Sequence, residues 1–202
     1  EDQKELLDYE IPQIDLVIVD LYPFEETIRS TKNENEIIEK IDIGGISLIR
    51  AAAKNFKDVL CISDKSDYGD LLYLLKNQEA KTNIETRKKF AAKAFDISSN
   101  YDTAIFNYFN SNNFINSLKI SSTSSLPLRY GENPHQSADF YGDMKKVISQ
   151  IHGKQLSYNN LLDIDNAISL ISEFKTEKPT FAILKHNNAC GISTKKNLSL
   201  AY

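Results

Sequence analysis

The pair Lys185-His186 places an ammonium group and an imidazole side by side, directly after the apolar run Thr180–Leu184. A neutral histidine beside a cation is suited to act as a general base. Neighbouring side chains on an extended backbone point in opposite directions, so both reach one site only if the chain turns there. Asn187, Asn188 and Gly191 permit such a turn. Spacing alone favours a plainer interpretation, a strand end with a solvated lysine and a hydrogen-bonded histidine.

A second group of polar and turn-forming residues is the segment Arg129–His135. Its arginine suits bidentate recognition of a phosphate group. Tyr130 and Asn133 can hydrogen-bond a polar heterocycle, and His135 can bind phosphate or move a proton. The alternative is a surface loop with no ligand, since polar residues also gather in loops for solubility.

The segment Asp42–Gly45 opens a predicted helix, and the free backbone N–H groups there favour an anion. It lacks the GxxxxGK[ST] spacing of a phosphate-binding P-loop. Asp42 is equally explained as a helix N-cap, and Tyr22, which follows an apolar run, as a packed aromatic side chain. Asp42 and Lys54 are separated by about three helical turns, so they need not touch.

Histidine and cysteine spacing predicts no metal site, because no pair has the CxxC or HxxxH separation of zinc ligands. The zinc deaminase signature is also absent. Cys61 and Cys190 do not form a disulfide framework, and they fit a reducing intracellular compartment. An enzyme that uses Cys190 as its nucleophile remains a third, weaker alternative.

Composition excludes several classes of protein. The 202 residues are 41% hydrophobic and 26% charged, which is typical of a globular chain and not of collagen, a coiled-coil rod or a disordered tail. With a net charge of −4 and no basic run, a nucleic-acid partner is not expected. No apolar stretch reaches the ~18 residues of a membrane helix, so no membrane partner is expected.

Since the sequence starts without Met and stops within a plausible element, we expect an internal piece of a longer protein.

The first half of the chain predicts a βαβ arrangement. Two apolar runs rich in β-branched residues indicate strands buried on both faces of a parallel sheet, Ile14–Val19 and Val59–Ser63. Helical patterns lie between and after them, at Glu34–Ile41, Ile46–Lys54 and Tyr68–Leu75, the last capped by Ser66.

The second half begins with apolar residues at helical spacing over Ile84–Phe109, as one helix or two. A linker rich in Ser and Asn follows over Asn110–Leu126. Beyond it the pattern predicts a weak strand at Ala138–Tyr141, a helix at Leu161–Phe174 and a third buried strand at Thr180–Leu184.

Five strings in order carry a resemblance to a known family: Asp15–Phe24, Ile41–Asn55, Leu128–Gln136, His152–Asn160 and Leu184–Gly191. Together they resemble the bifunctional phosphoribosylaminoimidazolecarboxamide (AICAR) formyltransferase / IMP cyclohydrolase family of purine biosynthesis. The resemblance implies an α/β fold in two parts. Residues 1–116 would be the C-terminal portion of a Rossmann-like, methylglyoxal-synthase-like cyclohydrolase domain. After a linker at 117–127, residues 128–202 would begin a cytidine-deaminase-like transformylase domain without its zinc.

The family implies two reactions. A formyl group passes from the co-substrate 10-formyltetrahydrofolate to AICAR, and the formyl-AICAR then closes its ring with loss of water to give IMP. The family also implies a cytoplasmic homodimer that needs no metal, and we expect the 202-residue piece to be inactive alone. The alternative is a non-catalytic, regulatory nucleotide-binding module with the same fold.

Matching the transformylase motifs residue by residue implies that His186 is the general base on the amine and Lys185 steadies the developing oxyanion. Arg129 and Tyr130 would hold AICAR. His135 would assist in the same loop, and Asn160 is a weaker candidate for that pocket.

Matching the cyclohydrolase motifs implies that Lys54 donates or accepts a proton while Asp42 and Tyr22 orient the reacting amide. The backbone of Ile43 and Gly44 would contact the nucleotide, together with Asp20. The chain departs from the family in two places, since Asp20 stands where Asn is frequent and Ala189 where Pro is usual after two asparagines. An aspartate at position 20 can accept a hydrogen bond but cannot donate one, and the loss of proline at position 189 frees φ in the loop that presents His186.

Overall fold

The computed structural model describes residues 2–202, which divide into two units. The first ends at Ser121 and the second covers Ser122–Tyr202. The division falls within the segment 117–127, in which the sequence predicts a linker. Both units mix helices with short strands, so the chain is α/β in composition. No helix of residues 2–202 has the length and apolar character needed to cross a membrane.

The first unit is built around a parallel pair of strands. Its elements in order are α1 (Asp2–Asp8), β1 (Leu16–Ile18), α2 (Phe24–Ser30), α3 (Glu34–Ile38), α4 (Gly44–Lys54), β2 (Leu60–Ile62), a 3₁₀ turn (Lys65–Asp67), α5 (Tyr68–Asn77) and α6 (Ile84–Phe109). Leu16 lies opposite Leu60 and Ile18 opposite Ile62 in parallel register. This pairing, with helices between the strands, confirms the predicted βαβ arrangement.

The core of the first unit forms where α4 and α6 pack against β2. Small side chains at Ala52, Ala53 and Ala94 let these elements approach closely around Ile49 and Cys61, all of them buried. The periodic pattern over Ile84–Phe109 forms one continuous helix, the first of the two predicted possibilities.

Two local predictions for the first unit are wrong. β1 is not buried on both faces, because the elements packed against it leave Leu16 and Val17 only half-buried and Ile18 47% exposed. Ser66 does not cap α5. The carboxylate of Asp64 instead accepts from the Ser66 N–H at 2.7 Å, while the Ser66 hydroxyl accepts from Lys93 at 3.0 Å. Hydrogen bonding to Ser66 lowers the pKa of Asp64.

The second unit contains two antiparallel strand pairs and one long helix. Its elements in order are β3 (Ser125–Pro127), β4 (Asp139–Tyr141), a 3₁₀ turn (Met144–Lys146), α7 (Tyr158–Ser172), β5 (Thr180–Lys185), β6 (Asn188–Thr194) and α8 (Leu198–Ala201). β3 pairs with β4, and β5 pairs with β6.

Three features of the second unit differ from the prediction. β3 lies inside the segment predicted as a linker, and β6 was not predicted. β5 is not fully buried, because only its Ala182 and Leu184 face lies against α7, whereas Ile183 on the opposite face is 53% exposed.

Candidate functional site

The N-terminus of α7 is held in a capping box. The Asn160 carboxamide oxygen accepts from the Ser157 N–H at 3.1 Å and from the Ser157 hydroxyl at 3.0 Å. Ser157 is fully buried. These bonds satisfy backbone groups that a helix start leaves open, so the first turn of α7 is a rigid support. The predicted ligand residue Asn160 therefore already has a structural role.

Arg129 and Tyr130 are attached to this support through their backbones. The Arg129 N–H donates to the Leu156 carbonyl at 2.8 Å, and the Tyr158 N–H donates to the Tyr130 carbonyl at 3.1 Å. The Arg129 guanidinium lies 4.8 Å from the Tyr130 ring centroid and donates to its hydroxyl at 3.2 Å. The stacked guanidinium keeps further N–H donors for an anion.

A cleft of about 460 Å³ brings Arg129 and Asn160 together. His152, Lys154 and Asp163 also line it. Residue types and spacing had not predicted a role for these three residues, although the first two lie in a string that carries the family resemblance. The cationic side chains of Arg129 and Lys154, together in one concave surface, are suited to bind a phosphate group.

Lys185-His186 lies at the tip of the β5–β6 hairpin. Lys185 pairs with Asn188, so His186 and Asn187 form a two-residue turn with φ of 50° and 64°. The sequence permitted a turn here without requiring one, and the structure has it at His186-Asn187. Gly191, which the sequence also offered for the turn, lies instead inside β6 opposite Ile183. The Asn187 N–H donates to the Asp163 carboxylate at 2.9 Å, which places the turn beside the cleft that Asp163 lines.

His135 lines a different cleft. This second cleft is about 600 Å³ and is also lined by Glu132 and Tyr158. The Gly131 N–H donates to the Gln136 carbonyl at 2.7 Å and closes the loop that carries His135. The structure therefore separates His135 from the cleft of Arg129, although seven residues of sequence contain both.

In the first unit, Asp42 caps the start of α4. Its carboxylate accepts from the Gly45 N–H at 2.6 Å, and a Cβ at position 45 would lie only 2.6 Å from the second carboxylate oxygen. The Asp42 N–H donates to the Tyr101 hydroxyl at 2.8 Å, which donates in turn to the Lys40 carbonyl at 2.6 Å. Burial raises the pKa of Tyr101. The helical spacing over Ile84–Phe109 predicts no such role for Tyr101.

Tyr22 and Asp20 follow β1. Tyr22 is 53% exposed with the Lys40 ammonium 5.3 Å from its ring centroid, so it is not a packed core aromatic. The Tyr68 hydroxyl donates to the Asp20 carboxylate at 2.7 Å, and this hydrogen bond raises the pKa of Tyr68. Lys65 lies 4.0 Å from the same carboxylate. Asp20 thus acts as an acceptor, a role that an asparagine carbonyl could also fill.

Lys54 lies at the opposite end of α4 from Asp42. With Gly44 and Lys54 as the helix termini, a rise of 1.5 Å per residue separates their backbones by about 15 Å. Ile43, 74% exposed, and Gly44 lie at the Asp42 end. Asp42, Ile43 and Gly44 therefore lie at one end of α4 and Lys54 at the other, while Asp20 and Tyr22 follow β1.

The cysteines are in contrasting environments. Cys61 is 1% exposed, and burial raises the pKa of its thiol to about 11, so it is protonated at neutral pH. Cys190 is exposed. Within residues 2–202 no three His, Cys, Asp or Glu side chains are grouped in a way that could hold a metal ion.

Comparison with known proteins adds sequence evidence to this geometry. The model of the AICARFT/IMPCHase bienzyme family matches residues 52–202. The bifunctional purine biosynthesis protein PurH of Bacteroides thetaiotaomicron is 52% identical over 202 residues, covering 100% of this chain and 39% of that protein. PurH of Caldicellulosiruptor saccharolyticus is 44% identical over 212 residues, covering 98% of this chain and 41% of that protein. The chain thus spans about two fifths of the length of these curated relatives.

A solved structure, described as the crystal structure of ForH, is 36% identical and covers 54% of this chain and 57% of that chain. Its TM-score is 0.45, and a superposition this partial does not establish a shared fold.

Proposed function

The chain belongs to the AICARFT/IMPCHase bienzyme family, and from this premise we propose that it is part of an enzyme that completes IMP synthesis. The enzyme transfers a formyl group from 10-formyltetrahydrofolate to AICAR and then closes the ring of formyl-AICAR to give IMP. The first unit belongs to a methylglyoxal-synthase-like cyclohydrolase domain. The second belongs to a cytidine-deaminase-like transformylase domain.

The observation that carries this proposal is the common support of two motifs by α7. Arg129 and Tyr130 are bonded to residues at its start, and the turn after Lys185 is bonded to Asp163 on the helix. A phosphorylated heterocycle held by the cations of the cleft would therefore lie close to a base. This is the arrangement that acylation of a weakly basic amine requires.

In the formyl transfer, 10-formyltetrahydrofolate supplies the formyl carbon. The 5-amino group of AICAR attacks that carbon, and His186 removes the amine proton as the new C–N bond forms. The carbonyl electron pair moves to the formyl oxygen, where the Lys185 ammonium stabilises the negative charge. The oxyanion electron pair then re-forms the carbonyl as the bond from the formyl carbon to the tetrahydrofolate nitrogen breaks, and that nitrogen takes up the proton that His186 removed. Tyr130 and Arg129 orient AICAR.

In the ring closure, the carboxamide nitrogen of formyl-AICAR attacks the formyl carbonyl and water is lost. Asp42 and Tyr22 orient the amide, and the exposed N-terminal end of α4 at Ile43 and Gly44 contacts the nucleotide. Lys54 donates and accepts the proton. His135 and Asn160 have lesser roles on the transformylase side.

The test uses the enzyme that contains this chain, with each reaction assayed separately. His186→Ala is expected to lower formyl transfer by about 100-fold or more and to spare cyclisation of supplied formyl-AICAR. Lys54→Ala is expected to do the reverse. Cys190→Ala, a matched control at an exposed position, is expected to keep both activities. If both single variants kept both activities, the assignment would fail, and a loss in Cys190→Ala would support a thiol enzyme.

Three observations favour the alternative, a nucleotide-binding regulatory module. Asp42 caps a helix, Asp20 is bonded to Tyr68, and Lys54 lies about 15 Å along α4 from the Asp42 end. If the enzyme binds IMP but does not cyclise formyl-AICAR, this alternative describes the first unit.

The proposal extends to the assembly. We expect a cytoplasmic homodimer, and we expect the 202 residues alone to catalyse neither reaction, because they span about two fifths of their relatives' length. Robust turnover by the isolated chain with AICAR and 10-formyltetrahydrofolate would contradict this.

A further inference from the structure

The peptide unit between His186 and Asn187 is held by side chains at both of its polar groups. Its carbonyl accepts from the Asn188 side-chain amide at 2.8 Å, and its N–H donates to the Asp163 carboxylate at 2.9 Å. The hairpin ladder ends at the pairing of Lys185 with Asn188. The central peptide of a two-residue turn lies outside such a ladder, so its orientation depends on these side chains.

The conformation of the turn makes this restraint necessary. His186 and Asn187 both have positive φ, which defines a type I′ turn, whereas a type II′ turn has positive φ only at its first position. Rotation of the central peptide interconverts the two types. Neither residue is glycine, so each pays a steric cost in the left-handed region. Without external bonds, other conformations of the turn become populated.

Of the two hydrogen bonds, only the one to Asp163 connects the turn to the rest of the site. Asn188 belongs to the hairpin itself. Asp163 lies on α7, three residues after Asn160 and so on the same helical face, and both line the Arg129 cleft. Among the hydrogen bonds of residues 2–202, the Asp163 contact is the one that joins this turn to α7.

We propose that Asp163 is a positioning residue for formyl transfer: its carboxylate holds the His186–Asn187 peptide and thereby sets the geometry of Lys185-His186 relative to the AICAR cleft. This inference rests on the proposed function. It assigns Asp163 no contact with substrate. An acceptor oxygen at this position is what matters, and the negative charge is not required.

The kinetic test compares variants of the enzyme that contains this chain. Asp163→Ala is expected to lower kcat for formyl transfer about tenfold with KM for AICAR changed less than about twofold, since the bond lost orders the turn and does not hold substrate. Asp163→Asn keeps an acceptor oxygen and is expected to restore most of kcat. Asp165→Ala removes the same charge from an exposed position on the same helix and is the matched control.

A second set of variants changes the residue with positive φ itself and the length of the acceptor side chain. Asn187→Gly removes the steric cost of positive φ, so in the Asp163→Ala background it is expected to recover part of kcat. Asp163→Glu shifts the acceptor oxygen by one methylene and is expected to lower kcat by an intermediate amount. It replaces the alanine variant in the comparison if that variant does not fold. Equal behaviour of Asp163→Ala and Asp165→Ala would overturn the inference, as would equal impairment of the alanine and asparagine variants.

Amide hydrogen exchange separates this inference from the proposed function. The Asn187 N–H is expected to exchange about tenfold or more faster in Asp163→Ala than in the native protein, and at a near-native rate in Asp163→Asn. If native enzyme shows no formyl transfer, the proposed function fails, and the exchange rate still decides whether Asp163 holds the turn. If the Asn187 rate is unchanged in Asp163→Ala, the positioning role is refuted whatever the activity.

Discussion

Replacing Tyr101 by phenylalanine removes one oxygen that links two elements of the first unit. The hydroxyl donates to the Lys40 carbonyl at 2.6 Å and accepts from the Asp42 N–H at 2.8 Å, and Tyr101 is only 7% exposed. Each lost hydrogen bond costs about 1 kcal/mol net, so Tyr101→Phe is expected to destabilise the first unit by about 2 kcal/mol. For a unit of this size, that lowers Tm by roughly 8 °C.

Thermal and denaturant unfolding of the chain measure this loss, and Tyr108→Phe is the matched control. Tyr108 lies on the same helix and packs against Phe24 with ring centroids 5.9 Å apart. Its hydroxyl makes no hydrogen bond within residues 2–202, so we expect a change below about 0.5 kcal/mol. If the two variants lost the same stability, the link from Lys40 through Tyr101 to Asp42 would not contribute as the structure implies.

Two further predictions concern the same unit. Burial raises the pKa of the Cys61 thiol from 9.0 to about 11. The stability that the protonated thiol gives the folded state is therefore fully present below pH 9, and about 2–3 kcal/mol of it is lost as the pH rises through 11. Between pH 8 and 11, the free energy of unfolding measured with denaturant should fall less in Cys61→Ala than in the native protein, and by the native amount in Cys190→Ala. Equal falls in all three proteins would contradict this prediction. Gly45→Ala should be about 1 kcal/mol less stable than Gly44→Ala, since a Cβ at 45 displaces the Asp42 cap while position 44 meets nothing within 4 Å. Equal stabilities of the two alanine variants by thermal unfolding would be evidence against the cap.

The parallel strand pair could be predicted from sequence because its signal is local. Short runs such as Val59–Ser63 have many β-branched and apolar side chains and no helical periodicity. This pattern is typical of a strand buried in a sheet. The long helix over Ile84–Phe109 has an equally local signal. Burial of a particular residue is not local, however. Both strands of this pair are edges, yet Ile62 of β2 is fully buried while Ile18 of β1 is 47% exposed.

The cap of the turn before α5 illustrates a choice that sequence leaves open. Asp64 and Ser66 are both good capping residues, two positions apart. Lys93, which comes 27 residues after Ser66, binds the Ser66 hydroxyl, and Asp64 then accepts from the backbone. Such competition depends on where α6 packs, which no local pattern specifies.

The residue types available for chemistry, and the places where the backbone can turn to expose them, follow from the amino-acid sequence. Asn187 and Asn188 after an apolar strand showed that a turn was permitted there, because backbone preferences act over a few residues. The resemblance of five strings to one family came from sequence as well.

The folded structure is needed to know which of these residues share a surface. It separated Lys54 from Asp42 by the length of a helix and His135 from Arg129 by a loop, and it brought Asp163 to the turn after Lys185. The physical reason is that hydrogen bonds between residues far apart in the chain depend on how whole elements pack. Periodicity along one element shows which face is buried but leaves open which side chains that face meets.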